Sequence, residues 1–254
     1  MDDEDASGLT AGMAAAWGAR APVTKGPKPG LSLDQIVAAA IAIADAEGLS
    51  AVSMNRVASE LGSSAMSLYR YVESKQELLT LMVDAALGTI PAGPPGESWR
   101  AGLSRWAWAT VAAMRAHPWA VQVPISGPPL GPQSVAWFED ALGTMRDTTL
   151  AEGEKASIVL MLAGYARNQV STMGDVQAHF LDAAGTPHDA MRGYRDTLRA
   201  LTDADRFPAL HALLDAGVFD RADPPDDEFA FGLERILDGI EALIRARAQP
   251  SPGA

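Results

Sequence analysis

Small or flexible side chains stand in a row at Ser64, Ala65, Met66 and Ser67, and long hydrogen-bond donors follow at Tyr69, Arg70, Tyr71 and Lys75. A helix that begins with small and hydroxyl groups can sink into a DNA major groove and touch base edges. Long donors behind it reach flanking phosphates, and a nearby helix N-terminus adds backbone N–H groups for an anion. This order of residue types suits the reading of double-stranded DNA. It would equally suit the plain solvated face of a small helical subdomain. Catalytic groupings are absent by contrast. His117, His179, His188 and His211 are scattered, with no i, i+4 pair beside a zincin glutamate. There is no Walker loop, no Gly-x-Ser-x-Gly and no Gly-x-Gly-x-x-Gly after a strand. The cysteine count is zero, which excludes disulfides, thiolate metal sites and a cysteine nucleophile. Asp226-Asp227-Glu228 and the pair Asp203 and Asp205 read as charges favouring helix N-termini. The expectation is a binding protein, not an enzyme, with no cofactor and no metal.

These residues need elements to hold them. Ser32 with Gln35 three residues on is a capping box, and Ile36, Ala40, Ile43 and Ala44 then recur on one face up to Gly48. Ser53 caps a second, short helix carrying Val57, Ala58 and Leu61, which Gly62 ends. Ser63 or Ser64 caps a third, from Ala65 to about Tyr71, with Leu68 and Val72 turned inward. Ser74 and Glu77 open a fourth with Leu78, Leu79, Met82 and Ala86. Two short helices joined at a glycine and braced by longer ones make a helix-turn-helix. Residues 1–30 read as a flexible arm, residues 31–87 as the helix-turn-helix domain, and 97–248 as a larger helical domain beyond the Pro/Gly break at 90–96. No strand-like alternation appears, so the fold class is all-α.

Composition narrows the partners. The chain has 254 residues, 48% hydrophobic and 20% charged, the balance of a globular protein. Its formal net charge of −12 gives no global attraction to nucleic acid, so DNA contact must come from a local surface. Residues 20–87 are near neutral: Arg20, Lys25, Lys28, Arg56, Arg70 and Lys75 face Asp34, Asp45, Glu47, Glu60, Glu73, Glu77 and Asp84. A near-neutral reading head suits a binder that uses two heads at once. No apolar run is long enough for a membrane span, and the acidic N-terminus has no leader character; the expected location is cytoplasmic.

From Val52 to Leu79 the text carries Ala-x-x-Leu-Gly, Leu-Tyr-x-Tyr-Val and Lys-x-x-Leu-Leu, and in this it resembles the DNA-binding domain of the tetracycline-repressor family. The resemblance covers about residues 32–87 and implies a dimeric transcriptional regulator, usually a repressor released by a small ligand. It implies that Ser53, Tyr69, Tyr71 and Lys75 contact the DNA backbone, while Asn55, Arg56, Ala65, Met66 and Ser67 read or approach bases. Ala65 and Met66 carry no hydrogen-bond donor, so readout there would be apolar, against thymine methyls. Glu73 stands where a basic residue would help more.

The larger domain ends in Phe229-Ala230-Phe231-Gly232-Leu233-Glu234-Arg235-Ile236-Leu237-Asp238-Gly239-Ile240. Phe229, Leu233, Ile236, Ile240 and Leu243 form a seam at 4-3-4-3 spacing, and Gly232 and Gly239 allow close approach of another helix. The segment is similar to the family's final helix, which implies a homodimer through a four-helix bundle. The second bundle helix would span 152–181 and offer Ile158, Leu162, Tyr165, Gln169 and Met173. Without a partner the same spacing is ordinary core. Six Trp, with Met and amide side chains, suit a small-molecule pocket as well as plain core. Trp106, Trp137, Met161, Tyr165, Gln169 and His179 are the candidate effector contacts.

Tetracycline repressors hold their inducer as a magnesium chelate, with a histidine from the loop after the first long helix of this domain. Matching Arg115-Ala116-His117-Pro118-Trp119-Ala120-Val121-Gln122-Val123-Pro124 without gaps places Pro124 at that histidine, and residues 118–138 hold no His, Asp or Glu. Magnesium needs hard oxygen ligands, so the expected effector is metal-independent and largely apolar or aromatic. Asp175 and His179, on a different helix, could still rebuild a metal site. The expected function is a homodimeric repressor on a pseudo-palindromic operator, released by such an effector. The rival is a helical small-molecule- or partner-binding protein whose helix-turn-helix has lost DNA affinity, for which Ala65, Met66, Glu73 and the net charge speak.

Overall fold

The computed structural model describes residues 9–18, 31–125, 127–184, 186–220, 224 and 226–248, without the side chains of 174–184 and 187. All regular structure among them is helical. The helices are α1 (Ala11–Ala16), α2 (Leu33–Glu47), α3 (Met54–Glu60), α4 (Ala65–Leu68), α5 (Lys75–Leu87), α6 (Trp99–Ala116), α7 (Pro132–Thr144), α8 (Glu152–Ala184), α9 (Pro187–Leu201), α10 (Pro208–Asp215) and α11 (Asp227–Ala248). Short 3-10 turns lie at Leu49–Ala51, Pro118–Gln122 and Val218–Asp220.

Local chemistry explains the first domain. The Ser32 hydroxyl accepts from Gln35 N while the Gln35 side chain accepts from Ser32 N, which closes the capping box of α2. Ser53, Ser64 and Ser74 cap α3, α4 and α5 in the same i to i+3 manner. Gly62 takes φ +59°, a backbone that would strain any L side chain, and so turns α3 into α4. Ile36, Ala40, Val57, Leu68, Val72, Leu78 and Met82 meet in one buried cluster. Each large side chain there contributes about 1.5–3 kcal/mol of burial.

The second cluster joins α6, α7, α8 and α11 through Leu103, Trp106, Trp137, Met145, Leu162, Phe229, Leu233 and Leu237. Trp119, Ala120 and Val123, which follow α6 in sequence, pack into the first cluster instead. The two domains therefore share apolar contact.

Two expectations change. Within the arm, residues 11–16 are helical, with Thr10 as the cap and Met13 buried in the first domain's core. The carboxylates of Glu73, just before α5, and Glu77, in its first turn, give this short segment something to bind, which its own composition does not reveal. The third helix is also shorter than expected: α4 has one turn, and residues 69–71 continue as hydrogen-bonded turns from Leu68 O.

Candidate DNA interface and effector domain

The face that could meet DNA is built from α3, α4 and the start of α5. Asn55, Met66, Tyr69, Arg70 and Lys75 are all exposed, Met66 to 75%. Among the described residues Arg70 and Lys75 make no ion pair, so both charges can be offered to phosphates. Ser53 Oγ accepts from Arg56 N at 3.1 Å, and Ser64 Oγ accepts from Ser67 N at 3.3 Å while bonding Ser67 Oγ at 2.9 Å. Ser53 and Ser64 are thus already used as caps and the Ser67 hydroxyl is bonded to Ser64, which leaves only their remaining lone pairs or hydroxyl protons for DNA. Ala65 is half-buried against the core.

Two expected DNA contacts are engaged elsewhere. The Arg56 guanidinium donates to Glu60 at 2.6 Å and Glu47 at 2.8 Å, and these carboxylates raise its pKa further. Arg56 must leave both before it can reach DNA. The Tyr71 hydroxyl donates to Leu31 O at 2.8 Å and is half-buried, which ties the end of the α4 turn to the start of α2. Tyr71 is placed as a brace of the reading head rather than at its open face.

In the effector domain, Trp106 and Trp137 are core residues. Trp106 Nε1 donates to Trp137 O at 2.8 Å, Trp137 Nε1 donates to Gly88 O at 2.9 Å, and the rings pack edge to face at 6.3 Å. Both polar handles are spent on backbone, so neither indole N–H remains for an effector. A second aromatic group joins Trp108, Tyr165 and Phe229: Trp108 meets Phe229 edge-on at 4.7 Å, and Tyr165 stacks on it at 5.1 Å. The Tyr165 hydroxyl donates to Glu228 O and Phe229 O, and burial, then the charge of Glu228, push its pKa up. One turn on, Gln169 is 8% exposed and its Nε2 has no hydrogen-bond partner. His179 and Asp175 have side chains outside the described residues, and elsewhere among those residues no group of three His, Asp or Glu could hold a metal ion.

The expected dimer seam splits in two. Phe229, Leu233 and Ile240, with Leu237, are buried against their own protomer. Ile236, Gly239 and Leu243 lie on the neighbouring stripe, and a β-carbon at Gly239 would meet nothing within 4 Å. A β-carbon at Gly232, in contrast, would overlap the Tyr165 hydroxyl, so this glycine serves packing inside the protomer. On α8 the expected bundle residues Ile158, Leu162 and Gln169 also point inward, while Leu160, Met161 and Gly164 stay open. Met161 is exposed and lines an apolar groove of about 460 Å³ with Ala151, Gly153, Ser157, Ile158 and Leu243. A helix carrying apolar residues all round shows a 3-4 pattern on two faces, and spacing alone does not say which one its own domain takes.

Sequence reasoning also missed the ties between the domains. Asp84, on α5, is buried and accepts from Gln133 N at 3.2 Å, Ser134 N at 2.7 Å and Ser134 Oγ at 2.6 Å. It caps α7 from another domain, because Gly131 at the cap position has no side chain to do so. A β-carbon on Gly131 would overlap the Asp84 carboxylate. Asp45 of α2 accepts from Trp119 Nε1 at 2.6 Å and pairs with His117 Nδ1 at 2.8 Å. Arg167 of α8 donates to Val121 O and Val123 O, and burial lowers its pKa. A turn proline before α7, a glycine and a lone aspartate at the end of an amphipathic helix were the available signals, and none names its partner.

Known proteins agree with this geometry. Residues 36–82 match the family of bacterial regulatory proteins of the tetR type, and residues 91–244 match the tetracyclin repressor-like C-terminal domain. The HTH-type transcriptional repressor DrrR1 of Streptomyces coeruleorubidus is 39% identical over 233 residues, 91% of this chain and 85% of that protein. The class E tetracycline repressor of Escherichia coli is 31% identical over 119 residues, 46% of this chain and 54% of that protein. Apo ActR of Streptomyces coelicolor superposes with a TM-score of 0.71 at 29% identity, covering 87% of this chain and all of that one. ActR in complex with actinorhodin superposes with a TM-score of 0.70 at 30% identity, covering 84% and 97%. No described helix is long and apolar enough to cross a membrane. The chain belongs to the tetracycline-repressor family of helix-turn-helix transcriptional regulators.

Proposed function

We propose that the protein is a homodimeric repressor that grips a pseudo-palindromic operator and lets go when a planar aromatic effector with a carbonyl oxygen enters its C-terminal domain. The observation that carries this reading is the direct bonding of the reading head to α7 through Asp84. A ligand that shifts α7 changes the spacing of the two heads, provided it prefers the shifted state. The aromatic group of Trp108, Tyr165 and Phe229, with the buried unpartnered Gln169 amide beside it, suits an effector that stacks and accepts a hydrogen bond. ActR, whose fold this chain shares, has been captured with actinorhodin, and that supports an aromatic effector of comparable kind. Binding would need no metal, since Pro124 stands at the histidine position and the stretch 118–138 lacks carboxylates.

DNA binding is tested with fluorescence anisotropy on the DNA upstream of the protein's own gene. Lys75 is an exposed cation without an ion pair at the first position of α5. Lys75→Ala should weaken binding to every duplex and flatten the salt slope by about one unit. An unchanged slope would take Lys75 out of the phosphate contacts, and a wild type that binds no DNA would return the rival reading of a head without DNA affinity.

Effector binding is tested by thermal shift with actinorhodin, in magnesium and in EDTA. Gln169→Leu should melt higher than wild type without ligand, because a buried donor lacking a partner costs about 1–3 kcal/mol. The same variant should need up to about tenfold more actinorhodin for its shift, since a neutral hydrogen bond contributes roughly 0.5–1.5 kcal/mol. Equal ligand shifts in both proteins would remove Gln169 from the site, and a shift abolished by EDTA would reverse the metal-independent reading.

A further inference from the structure

Residues 9–18 lie outside both stretches that match the family, yet they are fastened to both domains. At one end, Ala11 N donates to Glu73 Oε1 at 3.2 Å and Gly12 N donates to Glu77 Oε1 at 3.0 Å. Gly12 is needed there: a β-carbon would crowd both the Glu77 carboxylate and Tyr71 O. Met13, 5% exposed, seats the helix in the core of the reading head. At the other end, Trp17 Nε1 donates to Leu130 O at 2.7 Å.

Leu130 immediately precedes Gly131, the cap of α7, whose next N–H groups are held by Asp84. The start of α7 is thus gripped from two head elements: α5 holds its N–H groups and α1 holds the carbonyl before them. This also gives Glu73 a role. An acidic side chain two residues before Lys75 is unhelpful toward phosphate, but a carboxylate suits the unsatisfied N–H groups of the first turn of α1.

We propose that α1 is a strap that holds the reading head against α7, and that Trp17 is the positioning residue through which it does so. The Trp17–Leu130 hydrogen bond and the Asp84 cap must stretch together when α7 moves relative to the head. The strap therefore sets how far α7 must be pushed before the head follows. Its role in regulation rests on the proposed function above, whereas the grip itself can be measured without DNA or effector.

The test is amide hydrogen exchange on the full chain, compared with Trp17→Phe and with a chain lacking residues 1–18. Phenylalanine keeps an aromatic ring while removing the N–H donor with the pyrrole part of the indole, so it covers the case in which the truncated chain does not fold. Protection at Gln133, Ser134 and Val135 should fall by about 2–10-fold in Trp17→Phe, the range set by one hydrogen bond, and further in the truncation. Protection in α8 at Leu162 and Ala166 should stay at the wild-type level. Unchanged protection at the start of α7 would overturn the strap, and so would an equal loss in α8, which would mean general loosening. In a paired titration, Trp17→Phe bound to the upstream DNA should need about 2–10-fold more actinorhodin for release, because α7 then moves further before the head follows. A wild type that fails to bind DNA or actinorhodin would overturn the proposed function while leaving the exchange result to decide the strap.

Discussion

A Gly239→Leu chain is expected to lose its partner and, with it, about 10²–10⁴ of its operator affinity. The site has no neighbour of its own: a β-carbon there meets nothing within 4 Å, and Ile236 and Leu243 flank it on the same stripe. The open face of α8 adds Gly153, Ser157, Met161 and Gly164, and an apolar groove runs between the two helices. Within one protomer, leucine at this position should be neutral or mildly stabilising, because glycine inside a helix costs about 1 kcal/mol relative to alanine. Any damage must therefore come from a second copy packed against the face, where overpacking costs roughly 1–3 kcal/mol. Two linked heads bind through an effective concentration that a single head lacks, which sets the expected affinity loss. Light scattering and anisotropy read the two effects together. Gly232→Ala is the control: it should lower the melting temperature of the protomer itself, since its β-carbon would overlap the Tyr165 hydroxyl. A wild type that is monomeric at micromolar concentration, or a dimeric Gly239→Leu chain, would refute the bundle.

Asp84→Ala should lower stability by about 2–3 kcal/mol and separate the two domains' responses. The carboxylate is buried and takes two backbone N–H groups and one hydroxyl at the start of α7. Removing a helix cap costs about 0.5–2 kcal/mol, and hydrogen bonds to a charged group are each stronger than neutral ones. The donors left behind at Gln133 and Ser134 sit in a part-buried junction where water replaces the carboxylate poorly. Urea unfolding gives the stability change. The functional consequence is read on DNA: the variant should bind the upstream duplex yet need more actinorhodin for release, because α7 no longer pulls α5. Asp84→Asn keeps one acceptor oxygen and should fall between the two. A loss below about 0.5 kcal/mol with unaltered release would show that Asp84 merely fills space.

The reading head was legible in the sequence because its determinants are local. The serine caps at Ser32, Ser53, Ser64 and Ser74 act on an N–H three residues ahead, so spacing alone identifies them. The apolar residues Ile36, Ala40, Leu68 and Val72 bury themselves on the faces that their period assigns. The all-α class follows from the same short-range rules. What tertiary structure alone decided is pairing across long separations. Tyr71 turned to Leu31 instead of outward, Asp84 found α7 about fifty residues on, and Trp17 found Leu130 across 113 residues. The same holds for α11, where two adjacent apolar stripes compete and contact with α6 and α8 selects Phe229, Leu233, Leu237 and Ile240 for the core. That choice leaves Gly239 open and Ile236 and Leu243 half-buried at the edge of the same core, because a helix buries only one stripe fully in its own domain.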